Sequence, residues 1–220
     1  RLNGSGMTSA ADIGTRSVDA AGFSLADGTN GGLATNYTLV GGEHSVDITA
    51  KALGVTVAAA DKVYDGGRVA TLRSLVLDGV EPGDNVRVFS PAQATFESKD
   101  AGLRRVTIDG LSIDGADAGN YALTAPSATM IATISPAPII LVGSRSYDGT
   151  RDVAASMFGT SVAGVAGETL TLAGTGGVAS PNATASSLPL AQAGTLRLQL
   201  GGDTASNYQL DLARSLVTIT

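Results

Sequence analysis

The chain has no cysteine, no tryptophan and a single histidine, and aromatic residues fill only 4% of its 220 positions. Without cysteine neither a disulfide framework nor a thiolate metal site can form, and one histidine excludes a multi-histidine centre. Charge is sparse, at 15% Asp, Glu, Lys and Arg, against roughly 25% in an average soluble protein. A net charge of −6 and a pI near 4.6 disfavour a polyanionic partner such as nucleic acid. Two stretches carry no charge at all, 118–144 and 169–196. Neither reads as a membrane span, because Pro126, Pro136, Pro138 and hydroxyl residues interrupt the first and Gly and Ser dominate the second. Arg1 is followed by no charged-then-apolar leader, so the sequence reads as an excised fragment.

What is abundant is glycine, with 29 residues, beside Ala, Ser and Thr. The glycines follow no triplet period, which excludes collagen, and a hydrophobic content of 43% is too high for a disordered acidic tail. The surface must therefore be wetted by Thr, Ser, Asn and backbone.

The chain repeats itself. Asn-Tyr-x-Leu occurs at Asn36-Tyr37, Asn120-Tyr121 and Asn207-Tyr208, at intervals of 84 and 87 residues. Tyr-Asp-Gly occurs at Tyr64-Asp65-Gly66 and Tyr147-Asp148-Gly149, an interval of 83. Asp12-Ile13-Gly14-Thr15-Arg16 aligns with Asp100-Ala101-Gly102-Leu103-Arg104, and Gln192-Ala193-Gly194 is taken as the third counterpart. Complete copies are placed at 51–137 and 138–220, with 1–50 the C-terminal half of a preceding copy. Either 1–50 leans on its neighbour as a partial domain, or the folded unit is permuted relative to this frame.

Within a copy the apolar period is two: Leu196, Leu198 and Leu200 alternate with Arg197 and Gln199, and Val106-Thr107-Ile108 and Val217-Thr218-Ile219 do likewise. Such alternation puts one strand face on a core and the other in water. Turn signals such as Asp78-Gly79, Asp109-Gly110 and Asp114-Gly115 punctuate it. The expected fold is all-β, as tandem small antiparallel β-sandwich modules of Ig-like size. The alternative is a β-grasp-like module with one short helix, at 71–77 or 152–158. Pro136 and Pro138 predict a stiff extended linker between copies.

All five tyrosines lie in the repeat motifs, where the structural reading is a fold corner. Asp65 and Asp148 bond the backbone two residues on, Gly66 and Gly149 accept positive φ, and the rings of Tyr64 and Tyr147 anchor strand ends in the core. Asn36, Asn120 and Asn207 hold a corner by side-chain-to-backbone bonds, beside Tyr37, Tyr121 and Tyr208. The competing reading makes the rings a sugar-stacking platform. Asp109, Asp114 and Asp117 lie close together but lack the spacing of a calcium loop, and read as turn residues. His44 stands beside a strand with no nucleophile elbow nearby, no pair of carboxylates stands out for glycoside hydrolysis, and Arg104-Arg105 reads as a solvated strand face. No catalytic residue, metal site or cofactor is implied. Of the glycosylation sequons at Asn3, Asn36 and Asn182, only Asn182 lies in a loop that merits a test.

Lys62-Val63-Tyr64-Asp65-Gly66 followed by Leu77-Asp78-Gly79-Val80-Glu81-Pro82-Gly83-Asp84-Asn85-Val86 resembles a YDG-type repeat, as do Lys99-Asp100-Ala101-Gly102 and Asp114-Gly115-Ala116-Asp117-Ala118-Gly119-Asn120-Tyr121. The third copy keeps Tyr147-Asp148-Gly149 and Asn207-Tyr208 but replaces the Gly-Asp step by Gly167-Glu168. Such repeats occur in filamentous-haemagglutinin-like exoproteins of two-partner secretion systems. The resemblance implies a place on the bacterial cell surface or in a secreted adhesin, with an outer-membrane secretion partner for the full-length protein. It carries over no catalytic residue and names no ligand. The expected function is a non-catalytic spacer or adhesive region. The alternative is a module binding an extracellular glycan or host-surface protein through loops such as 174–187, and an enzyme ranks third.

Overall fold

The computed structural model describes residues 1–40, 43–183 and 186–220. The period-two segments form strands of two to nine residues, joined by turns and 3-10 turns of three or four residues. Among the described residues no helix reaches seven residues, so the protein is all-β. The segment read as a possible helix at 71–77 lies in the strand Leu72–Asp78, whose apolar residues alternate with Arg73 and Ser74 only in part. The other, 152–158, is a strand, Asp152–Ala154, running into a 3-10 turn, Ala155–Phe158.

The chain packs as two compact units, one of Arg1–Thr56, Leu75–Pro91 and Gly110–Pro126, the other of Val57–Ser74, Ala92–Asp109 and Ser127–Thr220. The division cuts through the middle sequence copy, so each unit contains parts of two successive copies.

In the first unit Gly14–Asp19 pairs with Met7–Thr8 on one side and Ser45–Ile48 on the other, all antiparallel. Leu2–Gly4 pairs with Phe23–Leu25, and Arg87–Phe89 with Ser112–Asp114. Tyr121–Leu123 runs parallel to the start of the strand Lys51–Ala59, where Leu53, Leu111 and Tyr121 are buried.

The second unit repeats the first pattern. Gly102–Asp109 pairs with Thr95–Phe96 and with Ser127–Ser135, and Gly102 faces Ile134 as Gly14 faces Ile48. Lys62–Val63 adds in parallel to Ile134 and Ser135, and Val142–Arg145 adds in parallel to Leu216–Ile219. The core consists of Tyr64, Phe96, Val106, Ile108 and Ile134, with Leu141, Val153, Leu170, Val178, Val217 and Ile219 from the last copy. Burying side chains of this size contributes about 1.5–3 kcal/mol each relative to exposure.

Three expectations need correction. The sheets are mixed: beside the antiparallel ladders each complete copy carries parallel pairs, which alternation cannot reveal because strands of either direction show the same period. The junction at Pro136 and Pro138 is no linker. Ala137–Ile139 is a strand running parallel to Tyr208–Leu210, with Ala137 and Ile139 buried, and a proline fits an edge strand whose N–H is not needed by the ladder. Gln192-Ala193-Gly194 is not the counterpart of Asp100-Ala101-Gly102. Gln192 pairs with Gly177 and the segment leads into Arg197–Leu200. Counting along the Leu188–Val217 register puts Ser186 at the place of Gly102, and residues 184 and 185 lie outside the described residues.

Candidate functional site

The repeated motifs converge on the places where one copy meets the next. In the turn at 12–16, Arg16 donates from Nε to the Asp12 carbonyl (2.9 Å) and from Nη2 to the Ile13 carbonyl (2.8 Å). Arg104 makes the same two bonds, to the carbonyls of Asp100 and Ala101, at 2.9 Å each. With these carbonyls held by arginine, the following amide N–H and the aspartate carboxylate are left for a partner. That partner is an asparagine of the next copy. The Ile13 N–H donates to Asn120 Oδ1 (3.0 Å) while Asn120 Nδ2 donates to Asp12 Oδ1 (3.1 Å). The Ala101 N–H donates to Asn207 Oδ1 (2.8 Å) while Asn207 Nδ2 donates to Asp100 Oδ1 (3.0 Å). The amide uses its acceptor and a donor in one two-pronged clasp, a geometry that neither aspartate nor alanine can reproduce. The first clasp lies within the first compact unit and the second within the other. Asn207, with Ser98 next, holds the Asp100 carboxyl below the usual carboxylate range.

Tyr121 and Tyr208, which follow the two clasping asparagines, each lock a loop of their own copy. The Tyr121 hydroxyl donates to the Asp84 carboxylate and accepts from the Glu81 N–H at 3.1 Å. The Tyr208 hydroxyl donates to Glu168 Oε2 (2.7 Å) and accepts from the Val165 N–H (2.9 Å). Gly83-Asp84 and Gly167-Glu168 therefore occupy the same place. The extra methylene of glutamate lets Glu168 reach into the preceding copy, where Oε1 accepts from the Tyr64 hydroxyl (2.8 Å) and from Lys99 Nζ (2.9 Å). Lys99 Nζ also donates to the Tyr64 hydroxyl oxygen at 3.0 Å. The rings of Tyr64 and Tyr208 meet edge to face at 5.4 Å between centroids, a favoured aromatic arrangement.

Three titratable groups of this cluster are shifted. Hydrogen bonds from Tyr208 and then Lys99 pull the Glu168 carboxyl below its ordinary value. Burial, followed by the Glu168 hydrogen bond, pushes the Tyr208 hydroxyl up to about 12. Hydrogen bonds to Tyr64 and Glu168 raise Lys99, and the Asp84 carboxylate raises Tyr121.

The Tyr-Asp-Gly segments form matching turns. Asp65 Oδ1 accepts from the Gly67 N–H (2.8 Å) and Asp148 Oδ1 from the Thr150 N–H (2.9 Å), while Gly66 and Gly149 both adopt φ of 77°. A basic side chain staples each turn. Lys62 Nζ donates to Asp65 Oδ1 and to the Gly67 and Val69 carbonyls, and Arg145 donates to Asp148 and to the Thr150 carbonyl. The surroundings differ. Tyr64 is 2% exposed and a Cβ on Gly66 would lie 2.6 Å from the Ala166 Cβ of the next copy. Tyr147 is 58% exposed, and a Cβ on Gly149 would meet nothing but its own Tyr147 hydroxyl, at 3.9 Å. Tyr121 and Tyr208 are buried, whereas Tyr37 is 66% exposed. The ring of Tyr64 anchors the core as expected, whereas that of Tyr147 does not, because no loop like 165–168 lies against it.

The remaining candidates have structural explanations. Asp114 bonds Arg87 and the Gly115 N–H, and Asp117 accepts from the Asn85 N–H; no metal-binding cluster occurs among the described residues. His44 is exposed at the edge of Ser45–Ile48. Arg104 is not a solvated strand residue, since its guanidinium holds the clasp turn. The loop at 174–187 contains the strand Thr175–Val178, buried from Gly176 onward, and its residues 184 and 185, including the Thr184 of the Asn182 sequon, lie outside the described residues. Asn182 itself is exposed. Lys99 and Glu168 belong to the repeat motif in sequence, but nothing there joins them to one another or to Tyr64.

Fold and joints together define an all-β tandem-repeat protein whose successive copies are fastened by recurring side-chain clasps. The YDG domain matches twice, at residues 49–130 and 132–215, about three quarters of the chain. The chain belongs to the YDG domain family. No curated protein and no solved structure matches it. Among the described residues no helix is long and apolar enough to cross a membrane.

Proposed function

We propose that this chain is a non-catalytic spacer within a filamentous-haemagglutinin-like surface adhesin, exported by two-partner secretion with the help of an outer-membrane partner. The observation that carries the reading is the recurrence of the clasp, Asn120 on Asp12 and Asn207 on Asp100, with matching geometry. Tyr64, Asn120, Tyr121, Asn207 and Tyr208 spend their polar groups on other side chains of the chain and on backbone. A substrate or ligand would have to displace those bonds. In a tandem array with nearest-neighbour contacts, stability is a sum of copy and joint terms, and each added copy extends the array by a fixed step. A surface of Thr, Ser and Gly with few charges suits a spacer that must avoid nonspecific electrostatic capture.

The test is titration of the chain against arrays of glycans and host-surface proteins. A spacer gives no saturable binding. Saturable binding that disappears when residues 179–187 are replaced by a Gly-Ser segment would favour the loop-binding alternative. Turnover of a polysaccharide or peptide library would overturn both.

A further inference from the structure

We infer that the exposed face around Tyr147 is a docking face for one more copy of this repeat, joined in tandem and seated as the third copy is seated on Tyr64. Two equivalent faces differ in one respect, since Tyr64 is covered and Tyr147 is bare. The turns agree in three local features: Asp Oδ1 to the N–H two residues on, glycine at φ 77°, and a basic staple from Lys62 or Arg145. The strands leading into them pair in parallel with the last strand of their copy, Lys62 opposite Ile134 and Arg145 opposite Ile219. The tyrosine N–H then bonds the last carbonyl of that strand, Tyr64 to Ser135 and Tyr147 to Thr220, both at 2.8 Å.

At the covered face the chain leaves Ser135 through Pro136 and re-enters as the strand Ala137–Ile139 beside Tyr208. That copy then returns the loop 165–168 onto the turn, with Glu168 on the Tyr64 hydroxyl and Ala166 against Gly66. Because Thr220 stands where Ser135 stands, a copy continuing from it would place its own Glu168 and Tyr208 over Tyr147. The occupant is thus defined chemically: a Gly-Glu loop, whose carboxylate accepts from the Tyr147 hydroxyl as Glu168 does from Tyr64, followed by an Asn-Tyr pair. This rests on the tandem-array reading for the identity of the joint, and not on any spacer role.

The test appends a second copy of residues 136–220 directly after Thr220, with Tyr147→Phe in the appended copy so that only the original Tyr147 is read. Tetranitromethane nitration is followed by peptide mapping, with exposed Tyr37 as internal reference. In the 220-residue chain Tyr147 should be nitrated at a rate comparable to Tyr37. In the extended chain its rate should fall about tenfold or more, as for a ring reached only through local opening. A second extended chain, carrying Glu168→Ala and Tyr208→Phe in the appended copy, should restore the rate. Tyr147 nitrated as fast as Tyr37 in the first extended chain, or equal protection in both, would overturn the inference. Glycan binding would remove the spacer reading and leave this result unaffected.

Discussion

The side-chain amide of Asn207 sits on Asp100 with its nitrogen 3.0 Å from the carboxylate, and its oxygen takes the Ala101 N–H at 2.8 Å, across an interval of more than a hundred residues. Both prongs are part-buried, and one partner is charged. Removing a bond of this kind costs about 1.5–3 kcal/mol, more where the partner is left unsatisfied. Asn207→Ala should therefore lower the unfolding free energy of its unit by about 2–3 kcal/mol in urea titration. Asn120→Ala, whose clasp is exposed, should cost about 1 kcal/mol or less. A double-mutant cycle between positions 100 and 207 should yield a coupling of roughly 1 kcal/mol; additivity there would show that the clasp contributes nothing.

Protons should loosen the Glu168 cluster from both ends of the pH scale. The Glu168 carboxyl is depressed on folding, so its contribution is complete above the unfolded value of about 4.3. It is lost as pH falls through the folded value. Tyr208 is raised to about 12, so its contribution is complete below about 10 and disappears as pH climbs towards 12. Urea midpoints should thus be level between about pH 5 and 9 and drop on both sides. Glu168→Gln should reduce the acid loss without abolishing it, because Asp100 is also depressed. Tyr208→Phe should remove part of the alkaline loss.

The sequence made the strands, the copies and the turn chemistry legible, because period two and Asp-Gly turns are local signals. It also showed that Asn120 and Asn207 bond backbone. The destination was not legible, since an asparagine reaching Ile13 or Ala101 looks the same in sequence as one closing its own corner. Strand direction was hidden for a similar reason, as Ala137–Ile139 and Tyr208–Leu210 carry no mark of being parallel. Arg104 was misread because a guanidinium that returns to carbonyls three and four residues earlier resembles any charged residue on a strand face. The shift at 192–194 arose because Gln-Ala-Gly looked like Asp-Ala-Gly, and only the sheet register separates them.

Arg145 performs the work of Lys62 less economically. Its guanidinium is buried and bonds Asp148 and Thr150, but among the described residues its Nε has no hydrogen-bond partner. A buried unsatisfied donor costs about 1–3 kcal/mol. Arg145→Lys keeps the charge over the turn and removes that donor, so it should leave stability unchanged or raise it. Arg145→Met, which leaves Asp148 without its cation, should lower it by at least about 1 kcal/mol. Equal losses from both variants in thermal unfolding would mean that the fork geometry, and not the charge, holds the turn.

Two glycines with one backbone conformation should respond differently to the same methyl group. At φ 77° alanine is strained at either position by about 1 kcal/mol, which is all that Gly149→Ala should cost, because its Cβ would meet only the Tyr147 hydroxyl, at an ordinary contact distance of 3.9 Å. Gly66→Ala places a Cβ 2.6 Å from that of Ala166. Ala166 cannot withdraw easily, since it already holds a left-handed conformation at φ 52° between Val165 and Glu168, both bonded to Tyr208. The clash should push the loop off the turn and add about 1–3 kcal/mol to the strain, as overpacking does elsewhere. It should also lengthen the Glu168 contact to Tyr64, so that hydrogen exchange accelerates at 165–168 in Gly66→Ala and not in Gly149→Ala. Matching losses and matching exchange in the two variants would mean that the joint yields freely at Ala166.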